Sequence, residues 1–520
     1  MSVHRVMGVE TEYGISIPGR PDANPMLASG QVVLAYAGAL GHRSRRAIWD
    51  YAGESPLADA RGFEMSRTRA HPSQLTDELA DDPTMANVVL TNGARLYVDH
   101  AHPEYSAPEV TTPRDALTWD RAGELVMLRS VELLAEAAEA GLGDPVNLYK
   151  NNTDGKGSSY GTHENYLLSR ATPFGDVVVG LTPFFVARQI LCGAGRVGIG
   201  QHSATAGFQL SSRADFFEAE VGLETTFRRP VINTRDEPHA TPERYRRLHV
   251  IIGDANHCDV AGLLKLGTTS LVLAVIEEGA RVLGPAVGAA GGLGDLRVAE
   301  PLRALRDVSH DPTLTASITL ADGRRLTGLQ LLWSYYERVQ AFLAARDGGE
   351  VDAETAEVLL RWEDVLRRLE TDVLSARDQL DWVAKLALLQ GYRDRDELPW
   401  SHPRLAAIDI QWSDVRPGKG LARTLEARGR IERLTDPTAV GAAVNDPPED
   451  TRAWFRGECV RRYPHALAAA SWDSVILEVP GEAALQRIAT LEPRRGTREL
   501  VGELLDRSPD AATLLRNLTD

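Results

Sequence analysis

The chain has 520 residues, of which 43% are hydrophobic and 25% charged, and its formal net charge is −16 at pH 7. That length exceeds one hydrophobic core and predicts two domains, and the composition is typical of a globular enzyme. The negative charge argues against a general nucleic-acid binder and against an anionic membrane surface as a partner.

Cysteine usage and hydropathy predict a cytoplasmic protein. The three cysteines, Cys192, Cys258 and Cys459, lack metal-ligand spacing and leave one unpaired in any disulfide scheme, which indicates a reducing compartment. The first residues enter a strand pattern without a charged-then-apolar signal segment. No apolar run is expected to reach the length that spans a bilayer.

The first predicted strand, near residues 4–16, carries two acidic side chains on one face. It contains residues 7–14 (MGVETEYG), and strand side chains repeat every two residues, so Glu10 and Glu12 point the same way. A helix is predicted over 26–40. The polar segment 41–85 lacks sustained periodicity, and we predict a flexible insertion loop there that is either disordered or functional.

A second predicted strand, over 86–99, adds further polar groups. In residues 95–105 (RLYVDHAHPEY), Arg95, Tyr97 and Asp99 share a face, and Glu104 is expected just past the strand end. Several carboxylates on the same face of adjacent strands would repel one another unless a cation lies between them. Oxygen ligands of this kind suit Mg²⁺, which often bridges to phosphates. We therefore predict a phosphate-handling site; a solvated sheet face is the alternative.

The middle of the chain alternates predicted helices and strands. A long helix is predicted over 113–141. Strands are expected near 145–151, 160–168, 206–213 and 245–253. Further helices are predicted over 258–281, 326–346 and 353–390, the last with a possible break.

Histidines and arginines in this region are candidates for the same site. His163 follows a glycine-rich turn whose backbone N–H groups could bind anionic oxygens, and His249 lies in a predicted strand; either could instead be a core residue. Arg213 and Arg235 are candidates for binding phosphate oxygens through their guanidinium groups. The alternative is that they form ordinary ion pairs on the surface. Carboxylates and two histidines on one sheet would form a two-metal phosphoryl-transfer site.

Proline, glycine, aspartate and asparagine accumulate around 415–450, where we place a domain boundary. The tail is predicted to contain a helix, a strand at 473–479, and helices near 481–491, 497–506 and 509–518.

Four motifs taken together resemble one family. They are the Glu-x-Glu strand around Glu10 and the stretches 95–105 (RLYVDHAHPEY), 161–166 (GTHENY) and 247–254 (RLHVIIGD). In this order they resemble the Pup ligase and Pup deamidase/depupylase family. The resemblance implies an α+β, glutamine-synthetase-like large domain over 1–430, with a curved, mainly antiparallel sheet cradle packed on helices. It implies a small C-terminal α/β domain over 431–520.

Two features are closer to the deamidase/depupylase branch than to the ligase branch. The connection between the first two strands is long and contains a stretch, residues 49–63, similar to a loop that only the deamidase carries. The ligase also has one residue more between the aspartate and His-Pro-Glu. The tail around 492–506 is similar to the deamidase as well.

This resemblance implies hydrolysis of a side-chain amide: the C-terminal glutamine of the small modifier Pup, and the isopeptide bond between Pup and a substrate lysine. ATP (or ADP plus phosphate) and Mg²⁺ are the implied cofactors. Pup and pupylated proteins are the implied partners, with a functional link to the proteasome. The implied roles are catalysis by Asp99, as nucleophile or as base; metal binding by Glu10, Glu12, Tyr97, Glu104, His163 and His249; and nucleotide binding by Arg95, Ala107, Arg213, Arg235 and Trp472.

At Ala107 the ligase has a threonine, so only a backbone contact is expected there. Two other functions compete with the hydrolase. A Pup ligase or related ATP-dependent carboxylate–amine ligase predicts ADP formation that matches product. A nucleotide-dependent adaptor predicts binding without turnover, against which the intact Asp99 and carboxylate set argue.

Overall fold

The computed structural model describes residues 3–40, 48–67, 70 and 86–519. Strands and helices are mixed along the chain. The strands are β1 (Met7–Glu12), β2 (Gly14–Ser16), β3 (Ile48–Trp49), β4 (Ala58–Asp59), β5 (Phe63–Glu64), β6 (Asn87–Val89), β7 (Arg95–Asp99), β8 (His102–Ser106), β9 (Asn147–Tyr149), β10 (Thr162–Ser169), β11 (Arg196–Ile199), β12 (Thr205–Gln209), β13 (Phe217–Gly222), β14 (Arg229–Asn233), β15 (Tyr245–Val250), β16 (Ser317–Thr319), β17 (Arg325–Thr327), β18 (Leu467–Ala470), β19 (Ser474–Leu477) and β20 (Gln486–Ala489).

Most of the helices lie between Phe174 and Arg462. The helices are α1 (Pro25–Ala39), α2 (Pro113–Glu139), α3 (Phe174–Cys192), α4 (Asp259–Leu283), α5 (Pro301–Ser309), α6 (Gly328–Asp347), α7 (Ala353–Thr371), α8 (Asp381–Asp396), α9 (Pro403–Trp412), α10 (Leu421–Ala427), α11 (Pro437–Ala443), α12 (Ala453–Arg462), α13 (Arg498–Asp506) and α14 (Ala511–Thr519). The predicted break within 353–390 is confirmed, because α7 and α8 are separate helices.

Six strands form one antiparallel sheet. Their order across the sheet is β15-β10-β1-β8-β7-β6, and every neighbouring pair is antiparallel. β1 therefore lies in the middle of the sheet, between β8 and β10. The predicted combination of helices with a large antiparallel sheet is confirmed; the relation to glutamine synthetase stays a prediction.

Alternation along the strands divides the sheet into a buried face and a face with polar groups. On β1, Met7 and Val9 enter the largest hydrophobic cluster, to which α3, α4, α6 and α7 contribute most of their apolar side chains. Glu10 and Glu12 point to the other face, as the two-residue repeat requires. On β15, Leu248 and Val250 are buried in the same cluster. Glu10, Glu12 and Arg247 thus share the polar face of the sheet. Glu164 on β10 and Arg246 on β15 lie on the buried face, where Glu164 pairs with Arg188 of α3.

Two helices of the core correct the expectation about apolar runs. α3 and α4 are long and apolar enough to cross a membrane by length and composition. In their most apolar stretches, 78% of the residues of α3 and 100% of those of α4 are buried inside the protein, so both are helices of the core. α3 was not predicted, because an apolar run without an amphipathic period gives no clear helical signal.

The strand predicted over 86–99 is two strands. β6 and β7 are antiparallel neighbours joined by a turn in which Gly93 has a φ of 79°. A second turn at His100 leads directly into β8, so Glu104 lies within β8 and not past the end of a strand. The prediction for Glu104 was wrong in this respect, because no local pattern indicates that strand pairing resumes after two residues.

Part of the predicted insertion loop is folded against the rest of the protein. β3 pairs in parallel with β18, Trp49 is buried, and the buried Asp59 accepts a 2.6 Å hydrogen bond from Thr234. The prediction of an irregular, flexible connection is therefore corrected for residues 48–67. The rest of segment 41–85, apart from residue 70, lies outside the described residues.

The C-terminal part has a hydrophobic cluster of its own. It contains apolar side chains between Phe455 and Leu514, together with Trp49 and Val89 from the N-terminal part. The predicted helix near 481–491 was wrong, because β20 occupies this stretch and pairs with β19. The domain boundary at 430/431 stays a prediction.

Candidate active site

Strand pairing brings the acidic side chains of β1 next to groups from both neighbouring strands. Glu10 is opposite His163 on β10 and Ser106 on β8, and Glu12 is opposite Glu104 on β8. Side chains directly opposite each other in an antiparallel pair have Cβ atoms about 4.5–5.5 Å apart. The polar residues predicted from separate parts of the sequence therefore meet on one patch of the sheet.

The first group of candidate ligands contains Glu10, His163 and His249. One ligand atom from each of these side chains lies within 4.8 Å of the others. Asn165 donates a 2.8 Å hydrogen bond to Glu10, and the His163 and His249 ring centroids are 4.9 Å apart. Burial by itself would raise the pKa of Glu10, but His163, His249 and Arg247 hold it far below its ordinary value. Burial lowers the pKa of His249 well below its ordinary value, which keeps the ring neutral and able to bind a cation.

The second group contains Glu12, Asp99 and Glu104, whose ligand atoms also lie within 4.8 Å of one another. Burial and the negative charges of Asp99, Glu10 and Glu12 raise the pKa of Glu104 well above its ordinary value. Tyr97 donates a 2.6 Å hydrogen bond to Glu104. Three carboxylates this close repel one another, and a hard divalent cation would remove that repulsion. The donor set therefore fits Mg²⁺.

Asp99 lies at the end of β7, where a two-residue turn begins. His100 in that turn has a φ of 52°, and its Nδ1 lies 2.9 Å from Asp99 Oδ2. Burial would raise the pKa of Asp99, but His100, His163 and His102 hold it below its ordinary value. The charge of Asp99 in turn raises the pKa of His100 to about 9. With 32% of its side chain exposed, Asp99 is an ionised carboxylate that a substrate can reach.

Two clefts meet at Asp99. The first cleft has a volume of about 1180 Å³, and its walls include Arg95, Arg235, Arg247 and Trp472. The second cleft, of about 1240 Å³, is lined by Arg213, Arg229 and the glycine-rich turn at residues 157–161. Asp99, His100 and His163 line both clefts. A reactant in one cleft would thus approach a reactant in the other at the Asp99 carboxylate.

The first cleft continues into a smaller apolar pocket of about 550 Å³. Its lining includes Met7, Val9, Ala107, Leu167 and Trp472. Pockets of this kind, mostly apolar with a few polar groups at one end, are typical of small-molecule sites.

Aromatic rings and one carboxylate hold the cations of the first cleft in place. The Arg95 guanidinium lies 4.1 Å from the ring centroid of Trp49 and 3.8 Å from that of Tyr97. Arg235 and Arg247 both pair with Glu237, at 3.3 and 3.4 Å. Arginine guanidinium groups held in this way are suited to binding phosphate oxygens.

The structure brings most of the predicted site residues together, with Glu12 and Arg213 as exceptions that line only the second cleft. Glu10, Tyr97, Asp99, Glu104, His163, His249, Arg95, Arg235 and Trp472 line the first cleft. Ala107 lines the apolar pocket, where its N–H is already bonded to Val9. Arg213 faces the second cleft, on the other side of Asp99 from the phosphate-type site that we predicted for it.

Several polar groups of the site were missed in the sequence. Asn165 and Arg247 lie two residues from His163 and His249 on the same strands, so the two-residue repeat could have identified both. His102, whose Nδ1 lies 3.1 Å from Glu12, and Trp49 had no such signal. Their positions depend on a turn and on a distant strand pairing.

Sequence comparison relates the whole chain to known proteins. The family model described as Pup-ligase protein matches residues 5–476. A depupylase of Acidothermus cellulolyticus is 57% identical over 517 residues, covering 99% of each chain. A Pup deamidase/depupylase of Mycobacterium tuberculosis is 54% identical over 518 residues, again covering 99% of each chain. A Pup–protein ligase of Pseudarthrobacter chlorophenolicus is 41% identical over 424 residues, covering 81% of this chain and 90% of the ligase.

Two solved structures have a similar fold. The complex between the prokaryotic ubiquitin-like protein Pup and its ligase PafA aligns with a TM-score of 0.77 at 30% identity, covering 97% of this chain and 92% of that chain. The ligase PafA in complex with ADP aligns with a TM-score of 0.71 at 31% identity, covering 85% of this chain and 95% of that chain.

Proposed function

The chain belongs to the Pup-ligase family, and we propose that within this family it is a Pup deamidase and depupylase. It hydrolyses the side-chain amide of the C-terminal glutamine of Pup and the isopeptide bond between Pup and substrate lysines. The observation that carries this proposal is the full-length identity of 53–57% to proteins named as depupylases or Pup deamidases/depupylases. The ligases of the family are more distant, at 40–41% identity over 81% of this chain.

The first cleft is proposed to bind ATP. One relative of known structure is described as a complex with ADP. In this chain the apolar pocket beside Trp472 suits an adenine ring, and Arg95, Arg235 and Arg247 supply positive charge for phosphates along the cleft. A nucleotide placed in this way would have its terminal phosphate near the two ligand groups on the sheet.

The carboxylates of the sheet are proposed to hold Mg²⁺. The oxygen-only group of Glu12, Asp99 and Glu104 fits a hard cation, and the group of Glu10, His163 and His249 adds imidazole nitrogens. When bound, Mg²⁺ neutralises carboxylate and phosphate charge. Tyr97 orients Glu104 through its 2.6 Å hydrogen bond.

Asp99 is the proposed catalytic residue. Both reactions break a bond between a γ-carbonyl carbon and nitrogen, with ammonia or a lysine amine as the leaving group, and both add the elements of water. An ionised carboxylate at the junction of the clefts can attack the carbonyl or take a proton from water, and the geometry is compatible with either role. His100 hydrogen-bonds to Asp99 and fixes the direction of its carboxylate.

The second cleft is proposed to receive the C-terminal segment of Pup. Its wall carries Arg213 and Arg229, which supply local positive charge in a chain of net charge −16. The same proposal includes a cytoplasmic location and service to the Pup–proteasome pathway. The three cysteines are free and buried, which supports a reducing compartment.

One experiment separates hydrolase, ligase and adaptor. The protein is incubated with ATP, Mg²⁺ and either Pup ending in glutamine or a Pup–lysine conjugate, while deamidation, conjugate release and ADP are measured together. A hydrolase converts both substrates without ADP matching product. ADP formed in proportion to new conjugates would identify a ligase, and nucleotide binding without turnover of any substrate would identify an adaptor.

A further inference from the structure

We propose that Arg213 and Arg229 bind the free α-carboxylate of the residue whose side-chain amide is hydrolysed. The enzyme would then act on a C-terminal glutamine or glutamyl residue and ignore the same side chain inside a polypeptide. This inference rests on the proposed function and adds the feature of the substrate that the second cleft recognises.

The two guanidinium groups are neighbours because both are anchored on Ser159. The Nε of Arg213 lies 3.2 Å from the Ser159 hydroxyl, and Arg229 Nη2 donates a 2.6 Å hydrogen bond to the Ser159 carbonyl. Arg213 is 1% exposed, and its Nη1 also donates to the carbonyls of Ile251 and Gly253. These backbone contacts fix both side chains without neutralising either charge.

Within the described residues, no carboxylate pairs with Arg213 or Arg229. The Nε of Arg229 is buried without a hydrogen-bond partner. Burial and the charge of Arg229 lower the pKa of Arg213 to about 9. Buried charges are normally paired, and Glu12 acts on both arginines without forming an ion pair with either. The buried guanidinium of Arg213 beside the half-buried Arg229 therefore points to a bound anion. Arg235 and Arg247 in the first cleft contrast with them, because both pair with Glu237.

The position of the pair relative to Asp99 determines which anion fits. Arg213, Arg229, Asp99 and His100 line the same cleft, and the charge of Arg229 acts on His100. In a C-terminal glutamine, the α-carboxylate and the side-chain carbonyl belong to one residue. Binding the carboxylate at the arginines would therefore bring the carbonyl toward Asp99 in a fixed orientation. An internal glutamine has a neutral amide in place of the carboxylate and would leave both guanidinium groups unpaired.

A phosphate group is the other anion that two arginines could bind. The experiment therefore compares a carboxylate substrate with its uncharged analogue and measures phosphate binding separately. The substrates are Pup ending in glutamine with a free carboxylate and the same Pup with a C-terminal carboxamide. The enzymes are wild type, Arg229→Gln, Arg229→Lys and, as a matched control, Arg281→Gln, which is 72% exposed and pairs with Glu278 on α4.

Wild type and Arg281→Gln should prefer the free carboxylate in kcat/KM by about 30-fold or more, the effect of leaving a buried charge unpaired. Arg229→Gln should lose activity on the free carboxylate and most of this preference, and Arg229→Lys should retain part of both. The affinities for ATP and for inorganic phosphate should stay within a factor of two of the wild-type values in every variant.

Equal activity of wild type on the two substrates would overturn the inference without using any variant. An unchanged preference in Arg229→Gln would overturn it as well, and a loss of phosphate affinity there would assign the pair to phosphate. A wild-type enzyme that hydrolyses neither substrate would instead refute the proposed function on which the inference rests.

Discussion

Trp49 and Trp472 meet edge to face, with their ring centroids 5.1 Å apart. Trp49 comes from the connection between the first two strands of the large sheet, and Trp472 comes from the C-terminal part. The guanidinium of Arg95 lies over the Trp49 ring at 4.1 Å. The contact between the two tryptophans joins this connection to the C-terminal part at the wall of the first cleft.

We expect Trp49→Ala to lower both stability and nucleotide affinity. Trp49 is 2% exposed, and truncating a buried tryptophan costs about 3–5 kcal/mol. Arg95 would lose a ring contact that is worth about 0.5–2 kcal/mol. Thermal unfolding and ATP titration measure the two effects. Phe63→Ala, in the same connection but 52% exposed, should change neither by much. Wild-type ATP affinity in Trp49→Ala would show that the ring contact does not position Arg95.

Asp99→Asn should abolish amide hydrolysis while leaving the fold and most of the nucleotide affinity intact, because asparagine keeps one oxygen ligand in the group with Glu12 and Glu104. The side chains have the same shape, and the loss of the charge removes the nucleophile or base, which should lower the rate by at least about 10²-fold. Deamidation of Pup ending in glutamine measures the rate, and ATP titration checks the site. Asp22→Asn, on an exposed turn, is the matched control. Hydrolysis by Asp99→Asn near the wild-type rate would assign catalysis to another group.

Glu10→Ala should weaken nucleotide binding and make it depend more steeply on Mg²⁺. The substitution removes one anionic member of the Glu10, His163 and His249 group. It also leaves Asn165 without its 2.8 Å acceptor. ATP affinity is measured over a Mg²⁺ titration, with Glu132→Ala on the exposed side of α2 as the control. If the two variants gave the same titration curve, Glu10 would only line a solvated sheet face.

Glu109 should make the attachment of the C-terminal part sensitive to acid. Its carboxylate accepts hydrogen bonds from Arg452 at 2.7 Å and from Arg456 at 2.5 Å. Burial acts the other way, but the two guanidinium groups lower the pKa of Glu109 from 4.5 to about 2. Because the pKa is lowered in the folded state, this stabilisation is fully present above pH 4.5 and is lost as the pH falls towards 2. The difference corresponds to at most about 3 kcal/mol.

The test compares wild type with Glu109→Gln by thermal unfolding between pH 7 and pH 3. The variant should be less stable at pH 7, and the difference should shrink below pH 4.5 as Glu109 of the wild type becomes protonated. Glu132→Gln, in an exposed ion pair on α2, should show no such trend. A constant difference across the pH range would mean that the charge of Glu109 contributes nothing to stability.

Local patterns in the sequence were sufficient to predict which side chains share a face of a strand. Glu10 with Glu12, and Tyr97 with Asp99, follow from the two-residue repeat, which depends only on the backbone geometry of the strand. The same repeat applied to β10 and β15 would have added Asn165 and Arg247.

The sequence by itself therefore determined the family resemblance, most of the main strands, and the acidic groups of the site with two of its histidines, His163 and His249. Only the tertiary structure decided that β1 lies between β8 and β10, which divides these groups into two sets. It also placed Trp49 against Arg95 and turned Arg213 into the second cleft. Strand order and contacts between distant residues depend on how the whole chain buries its apolar surface. No local pattern in the sequence contains that information.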